Sequence, residues 1–471
     1  MRKIISMFIL GISMIPGLTV LAEIEPLTLK DCQTIAEEHY MPIKLAQEEI
    51  KVRTAKVNET VRNLWPNLSA KSEITDGASI VELGTPGFLE GSYGIQLSQT
   101  LFNGGKLWLT YKQAQLNKQI SEEKYRETKL DMQHKIQEAY WNLVRVTSNY
   151  NQYEKTFEDN LNYFEMAKKL FADGTINKRQ LIATEAQKNN TRYQKQSAEA
   201  EIEKFAWNLA VALGLDKPQE WEVSKTIPYY ESQPNLEASI KQALIHNPTY
   251  LIKLLSLQVA KYEKKIQYSQ NWPKVELSGF YGRSGGAFKR EVLKLNEDYN
   301  ISLKLTQPLA WNTLALSGFK QKTSPKLGQS SRTESQTASA TLGLLDGYKA
   351  SAQKLEASWQ LKQAKYNHKK AKQTLMINVR EAFYNVKKSK LQVANAQLEI
   401  TLAKSELAIQ QIQLSDEKVS IADVAAANNK LANSYTALNE AKVYYLLALS
   451  ALNKAIGISD YSLKPGEKIN D

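Results

Sequence analysis

After Gly104, and again after Gly347, the chain runs for about 68 residues without a proline, with apolar residues recurring at helical spacing. At 1.5 Å per residue, each run predicts a helix roughly 100 Å long. A rod of that length has no place inside a compact domain. It must lie sideways against other helices, in a coiled coil or a helical barrel.

The two runs are copies of one another. "EAYWN" at 138–142 returns as "EAFYN" at 381–385, an offset of 243 residues. "LFNGG" (101–105) meets "LLDGY" (344–348), "GTINKRQL" (174–181) meets "EKVSIADV" (417–424), and "ALGLD" (212–216) meets "AIGIS" (455–459), all at that offset. Landmarks sharing one spacing over so long a stretch mark a duplication. Upstream, "LTLKDCQTIAEEHYMP" (27–42) pairs with "NLEASIKQALIHNP" (235–248), and "LWPNLSA" (64–70) with "NWPKVEL" (271–277), at offsets of only 206 and 207. The second copy therefore carries about 36 extra residues between Leu303 and Leu344. We place the first repeat at 23–231, the second at 232–471, and the insertion at about 310–340. The insertion's body, "GFKQKTSPKLGQSSRTESQTAS", has the composition of a polar loop. Its flanks, "TLALSGF" and "SATLGLL", leave open an extra hairpin; the loop is favoured.

Each repeat reads as helix, strand pair, very long helix, turn, helix. The return helices, near 177–213 and 420–456, are rich in alanine, which suits both close helix approach and helix propensity. Each covers about half of its long rod. The N-terminal helix of each repeat has similar length, so two short helices stacked end to end would match one long one. Trp65-Pro66 and Trp272-Pro273 end those N-terminal helices, because the residue before proline is pushed to extended geometry.

The strands that follow are short and two-faced. In "SYGIQLSQTL", Tyr93, Ile95 and Leu97 alternate with Gly94, Gln96 and Ser98; in "DYNISLKLT", Tyr299, Ile301, Leu303 and Leu305 alternate with polar residues. Such a pattern fits a strand between lipid and a watery lumen, and it fits a half-buried soluble sheet equally well. The N-terminus tips the balance. "MRKIISMFILGISMIPGLTVLA" has Arg2 and Lys3, an apolar run, and small residues before Glu23, so 1–22 reads as a secretory signal peptide. No later stretch is apolar enough to span a bilayer as a helix; a membrane crossing would have to be made by strands.

The formal charge of +12 is spread along helical faces where acids and bases interleave, unlike the clustered basic and aromatic stripe of a nucleic-acid groove. The four histidines are dispersed without metal-ligand spacing, and no nucleophile elbow, phosphate loop or dinucleotide fingerprint occurs. The single Cys32 excludes an internal disulfide and reads as a small half-buried helix residue. An enzyme is not indicated. A periplasmic adaptor would show one hairpin among Gly- and Val-rich strand domains, and a soluble coiled-coil scaffold would lack the alternating strands.

Taken in order and twice over, the paired openings that end at Pro42 and Pro248, the two Trp-Pro steps, "LFNGG" with "LLDGY", and the turns "GTINKRQL" and "EKVSIADV" resemble the outer membrane efflux protein family, the TolC-like channels. The resemblance implies a mainly α protein with a transmembrane β-barrel. Three identical protomers would each give four strands to a shared barrel and helices to a long periplasmic tunnel. It implies a passive conduit without cofactor, energised by an inner-membrane pump or an ABC exporter of type I secretion through a periplasmic adaptor (membrane fusion protein). Outer membrane lipid would surround the barrel, with Trp65, Tyr93, Trp272 and Tyr299 as interface aromatics.

By the same resemblance, Asp423 and Gln180 stand at the pore gate. Gly174, Thr175, Asn177, Leu181, Glu417, Lys418, Ser420 and Val424 stand at the adaptor-docking tips. Three copies of Asp423 on a narrow axis would attract cations; the plainer reading is a carboxylate favoured at the start of a helix. Ala426, Leu414 and Val419 replace polar residues that the family can use to lock the entrance, so closure here would depend on packing. Lys178, Arg179 and Lys418 make the tips basic.

Overall fold

The computed structural model describes residues 26–78, 87–219, 221–288, 291–323, 332–416 and 418–459. The expected signal peptide lies outside these. The first repeat forms α1 (Leu29–His39), α2 (Met41–Arg62), β1 (Asn67–Gly77), β2 (Phe88–Asn103), α3 (Lys106–Ala172) and α4 (Lys178–Leu213). The second forms α5 (Leu236–His246), α6 (Pro248–Ser269), β3 (Lys274–Phe288), β4 (Asn296–Leu309), β5 (Asn312–Thr323), β6 (Thr333–Gly343), α7 (Tyr348–Ser415) and α8 (Ile421–Ile456).

The long rods are as the sequence demands: α3 has 67 residues and α7 has 68. α2 and α4 pack on α3, α6 and α8 lie between α3 and α7, and so the chain makes four helical staves side by side. The short helices do stack end to end. A Cβ on Gly214, just past α4, would sit 2.9 Å from the His39 carbonyl at the α1–α2 junction. Gly457, just past α8, abuts the His246 carbonyl at the α5–α6 junction. Asn247 clamps the latter joint, donating from Nδ2 to the Ala455 carbonyl at 2.9 Å. Only a left-handed residue can turn the chain in so little room, and both glycines have positive φ (79° and 90°).

Two apolar cores lie on the long rods at the duplicated words. Ala139 and Tyr140 of "EAYWN" pack with Met132, Ile136, Leu209 and Leu213. Ala382 of "EAFYN" packs with Val379, Val386, Tyr445 and Leu449, with Phe383 beside them. Each core is also pinned by the connecting chain: the Tyr140 hydroxyl donates to the Leu27 carbonyl at 3.0 Å, and the Ser232 amide donates to the Tyr445 hydroxyl at 2.8 Å.

One expectation is corrected here. Among the described residues the sheet has six antiparallel strands in the order β1-β2-β3-β4-β5-β6, two more than the four expected. The insertion is not a polar loop; it supplies the hairpin β5–β6, added to β4 through an unbroken ladder from Tyr299–Lys322 to Leu309–Asn312. Its composition misleads because a two-faced strand needs apolar residues only at alternate positions, and here Leu314, Leu316, Ala338, Ala340 and Leu342 suffice. The tight β4–β5 turn holds Ala310 at φ +54°.

Candidate functional site

The register sorts the sheet into two faces. Across the strands, Leu97, Gly279, Ile301, Lys320 and Gln336 share one rung, and Ile95, Tyr281, Tyr299, Lys322 and Glu334 share the next on the same face. Towards the helices that face becomes mainly apolar, with Leu305, Leu316 and Ala340 on one rung, interrupted by Gln99 and Gln307. The opposite face is polar and internally bonded. Ser278 and Ser302 lie 2.6 Å apart, Ser317 and Ser339 2.7 Å apart, and Ser284 donates to Asp298 at 2.6 Å. On that face Phe280 lies across the paired Gly94 and Gly282, filling the space two missing side chains leave. Among the described residues no helix is long and apolar enough to cross a membrane. The sheet carries the chain's two-faced, lipid-compatible wall: apolar on one side, polar on the other, and flanked by aromatics.

Those aromatics include all four named from the sequence. Trp65 and Trp272 are exposed where α2 and α6 give way to strands, and Tyr93 and Tyr299 stand on the apolar face part-way along the wall, opposite Ser72 of β1 and Tyr281 of β3. Three more were not named. Trp108 is exposed in the first turn of α3, and Trp311 stacks on Tyr348 with ring centroids 5.2 Å apart at the helix end of the sheet. Tyr281 faces Tyr299 on the neighbouring strand and donates to Glu297 at 2.8 Å. Trp311 lay hidden in the insertion, and Trp108 in a helix where nothing in its spacing set it apart.

At the opposite end of the rods are the two turns. Gly174, at φ +73°, ends α3 in open space, and the Thr175 and Ile176 amides both return to the Leu170 carbonyl. α4 then opens with a capping box: the Gln180 amide donates to Asn177 Oδ1 at 3.0 Å while the Asn177 amide donates to Gln180 Oε1 at 3.1 Å. The second repeat builds the same device. The Asp423 amide donates to Ser420 Oγ at 3.3 Å, and Asp423 Oδ2 accepts from the Ser420 amide and hydroxyl at 2.9 and 2.7 Å. Asp423 and Gln180 thus both start a helix; Asp423 is solvent-exposed and Gln180 half-buried. Thr175, Asn177 and Lys418 are exposed, Leu181 is half-buried, and Val424 is wholly buried, which leaves its side chain a packing role. Glu417 lies outside the described residues.

Between the tips and the apolar cores sits a buried polar cluster that sequence reasoning missed. Asn160 of α3, Thr191 and Gln187 of α4 and Asn429 of α8 meet there. Asn160 Nδ2 donates to Thr191 Oγ1 at 2.7 Å, and Asn429 Nδ2 donates to Gln187 Oε1 at 2.8 Å. The Asn429 carbonyl oxygen accepts from both Asn160 and Thr191. Asparagine recurring on an otherwise Ala-rich helix ("AAANN") was the available signal. A polar residue at one layer of a helical seam sets register and partner.

A two-faced antiparallel sheet joined end-on to a bundle of rods about 100 Å long defines a channel protein that pairs a membrane wall with an extended tunnel. The chain belongs to the outer membrane efflux protein family, whose model matches residues 36–215 and 239–458. Its members are passive channels, and the chain is not an enzyme. Solved structures agree on the fold. The Campylobacter jejuni outer membrane channel CmeC is 17% identical with a TM-score of 0.72, covering 96% of this chain and 94% of that one. A Pseudomonas aeruginosa membrane protein is 14% identical with a TM-score of 0.71, covering 93% and 92%. The Vibrio cholerae outer membrane protein VceC is 15% identical with a TM-score of 0.70, covering 91% and 96%. Compared by sequence with curated proteins, the chain finds no match.

Proposed function

We propose that the protein is the outer membrane exit duct of a periplasm-spanning export complex. Three copies assemble around one axis, with the sheets in the outer membrane and the helices reaching into the periplasm. Substrate passes without chemistry, driven by an inner-membrane pump or an ABC exporter of type I secretion through a periplasmic adaptor. The observation that carries this reading is the continuity of one two-faced sheet with rods long enough to leave the membrane far behind. The turns Gly174–Leu181 and Lys418–Val424 are the parts farthest from the sheet, where an adaptor would meet the duct, and Asp423 is the carboxylate suited to line the entrance.

The test is crosslinking in intact cells from Gly174→Cys and Glu417→Cys. The native Cys32 does not interfere, because it is fully buried and burial pushes its thiol up to about 12. A covalent adduct with an adaptor subunit is expected from the turns, together with current through a planar lipid bilayer from the purified protein. A monomer that stays in buffer without detergent and passes no current would refute the reading.

A further inference from the structure

The sheet has two free edges, β1 and β6, and these belong to the two flanks of the protomer. β1 continues from α2, which packs with α4 along α3; β6 runs into α7. We infer that three copies close a single barrel of eighteen strands, in which β6 of each copy pairs antiparallel with β1 of the next, and the added hairpin β5–β6 is part of the wall. This rests on the trimeric reading above and adds to it the size of the pore in the membrane.

Several observations converge on it. In hydrocarbon every backbone donor and acceptor needs a partner, so an open sheet edge must be closed. β4 cannot do the closing, because β3 holds one of its edges and β5 the other through an eleven-rung ladder. A ring of twelve strands, with β4 against the next copy's β1, would need that ladder broken. The free edges match each other: β1 and β6 are both 11 residues long, and β1 leads away from the helices while β6 leads back to them, which is the antiparallel sense.

The added hairpin also obeys the faces of the rest of the wall. Leu316 and Gly318 continue the apolar rungs of Leu305 and Leu303, and Ser317 and Ser339 continue the polar face. The helices point to the same neighbour relation. α7 exposes Ile377, Tyr384, Leu391 and Leu398 at seven-residue intervals, and the opposite flank exposes Val52 of α2 with Tyr193 and Trp207 of α4. The apolar stripe at heptad spacing along α7 is half of a coiled-coil seam, and the exposed apolar residues of the opposite flank offer it a partner surface.

The two storeys then fit in girth. Twelve staves about 10 Å apart make a ring roughly 120 Å around. Eighteen strands about 4.8 Å apart and tilted by about 40° make a ring of roughly 110 Å, whereas twelve strands would make only about 75 Å. The hairpin brings the barrel to the width of the tunnel.

Electron cryo-microscopy of the full-length protein in lipid nanodiscs, with native mass spectrometry for stoichiometry, tests this. Eighteen strands in a trimer are expected. A trimer with twelve strands and β5–β6 set outside the wall overturns the inference while leaving the trimer standing; any other stoichiometry overturns the trimeric reading itself. Independently, Ala338→Cys on β6 combined in turn with Leu68→Cys, Ala70→Cys or Ser72→Cys on β1 is expected to give covalent dimers and trimers on a denaturing gel for at least one pair. Crosslinks to β1 from Leu303→Cys on β4, with none from β6, would overturn it.

Discussion

Asp423 has one role in the structure and one that we propose. Its carboxyl oxygen closes the cap on Ser420, and in the proposed pore its charge would act on ions at the entrance. Asp423→Asn keeps an acceptor oxygen for the cap and removes the charge; Asp423→Ala removes both. If the carboxylate lines the pore, both variants lose cation preference in planar-bilayer reversal potentials, and only the alanine variant also loosens the α8 start. Unchanged selectivity in both takes Asp423 out of the pore. A contrast of glycines is equally sharp. Gly174 and Gly457 share a left-handed backbone, which costs a non-glycine residue about 1–2 kcal/mol. A Cβ at Gly174 meets nothing, whereas at Gly457 it collides with the His246 carbonyl. Gly457→Ala is therefore expected to lower the thermal unfolding midpoint well beyond Gly174→Ala. His134 adds a pH dependence. Burial first, then the nearby Lys454 charge, holds its pKa below 6.5, against the opposite pull of Glu138 and Asp131. A folded-state value below the unfolded one means protons favour the unfolded chain, so stability is full above about pH 6.5 and falls as pH drops through the folded value. His134→Gln should flatten that part of a thermal-midpoint-versus-pH curve. At this scale the sequence was a partial guide: the offset of 243 matched Asn177 with Ser420 and Gln180 with Asp423, but pattern alone could not separate a gate from a cap.

Helices and strands were legible in different degrees. The rods followed from the absence of proline and from periodicity, both local properties of the chain. The end-to-end stacking followed from lengths alone. The hairpin β5–β6 reads as a loop in the sequence because its polar residues line one face of the sheet, and whether a Ser or Thr belongs to a loop or to the polar face of a strand is settled by its neighbours across the sheet. The buried cluster around Asn429 was invisible for the same reason: α3, α4 and α8 meet there from positions as far apart as 160 and 429. Asn429→Leu removes the acceptor of one Asn160 N–H in a buried site, while Thr191 keeps the Gln187 carbonyl, and an orphaned group costs about 1–3 kcal/mol. The expected outcome is a lower thermal midpoint, with the loss partly restored when Asn160 and Thr191 are also made apolar. A midpoint unchanged by Asn429→Leu would mean water reaches the cluster.

For the whole molecule, the joints beyond α4 and α8 set a rule about length. Each return helix ends flush against the bend between the two helices above it, with no slack for even one Cβ on the His246 side. A residue added to α4 alone would advance its end by about 1.5 Å and swing it by about 100°, aiming the wrong face at α3. The same insertion in α3 would misalign every side chain beyond it. A change of length that keeps this packing therefore comes in matched heptads, taken together in a rod and its companion. The reach of the rods is thus counted in discrete rungs, and cannot be tuned a residue at a time.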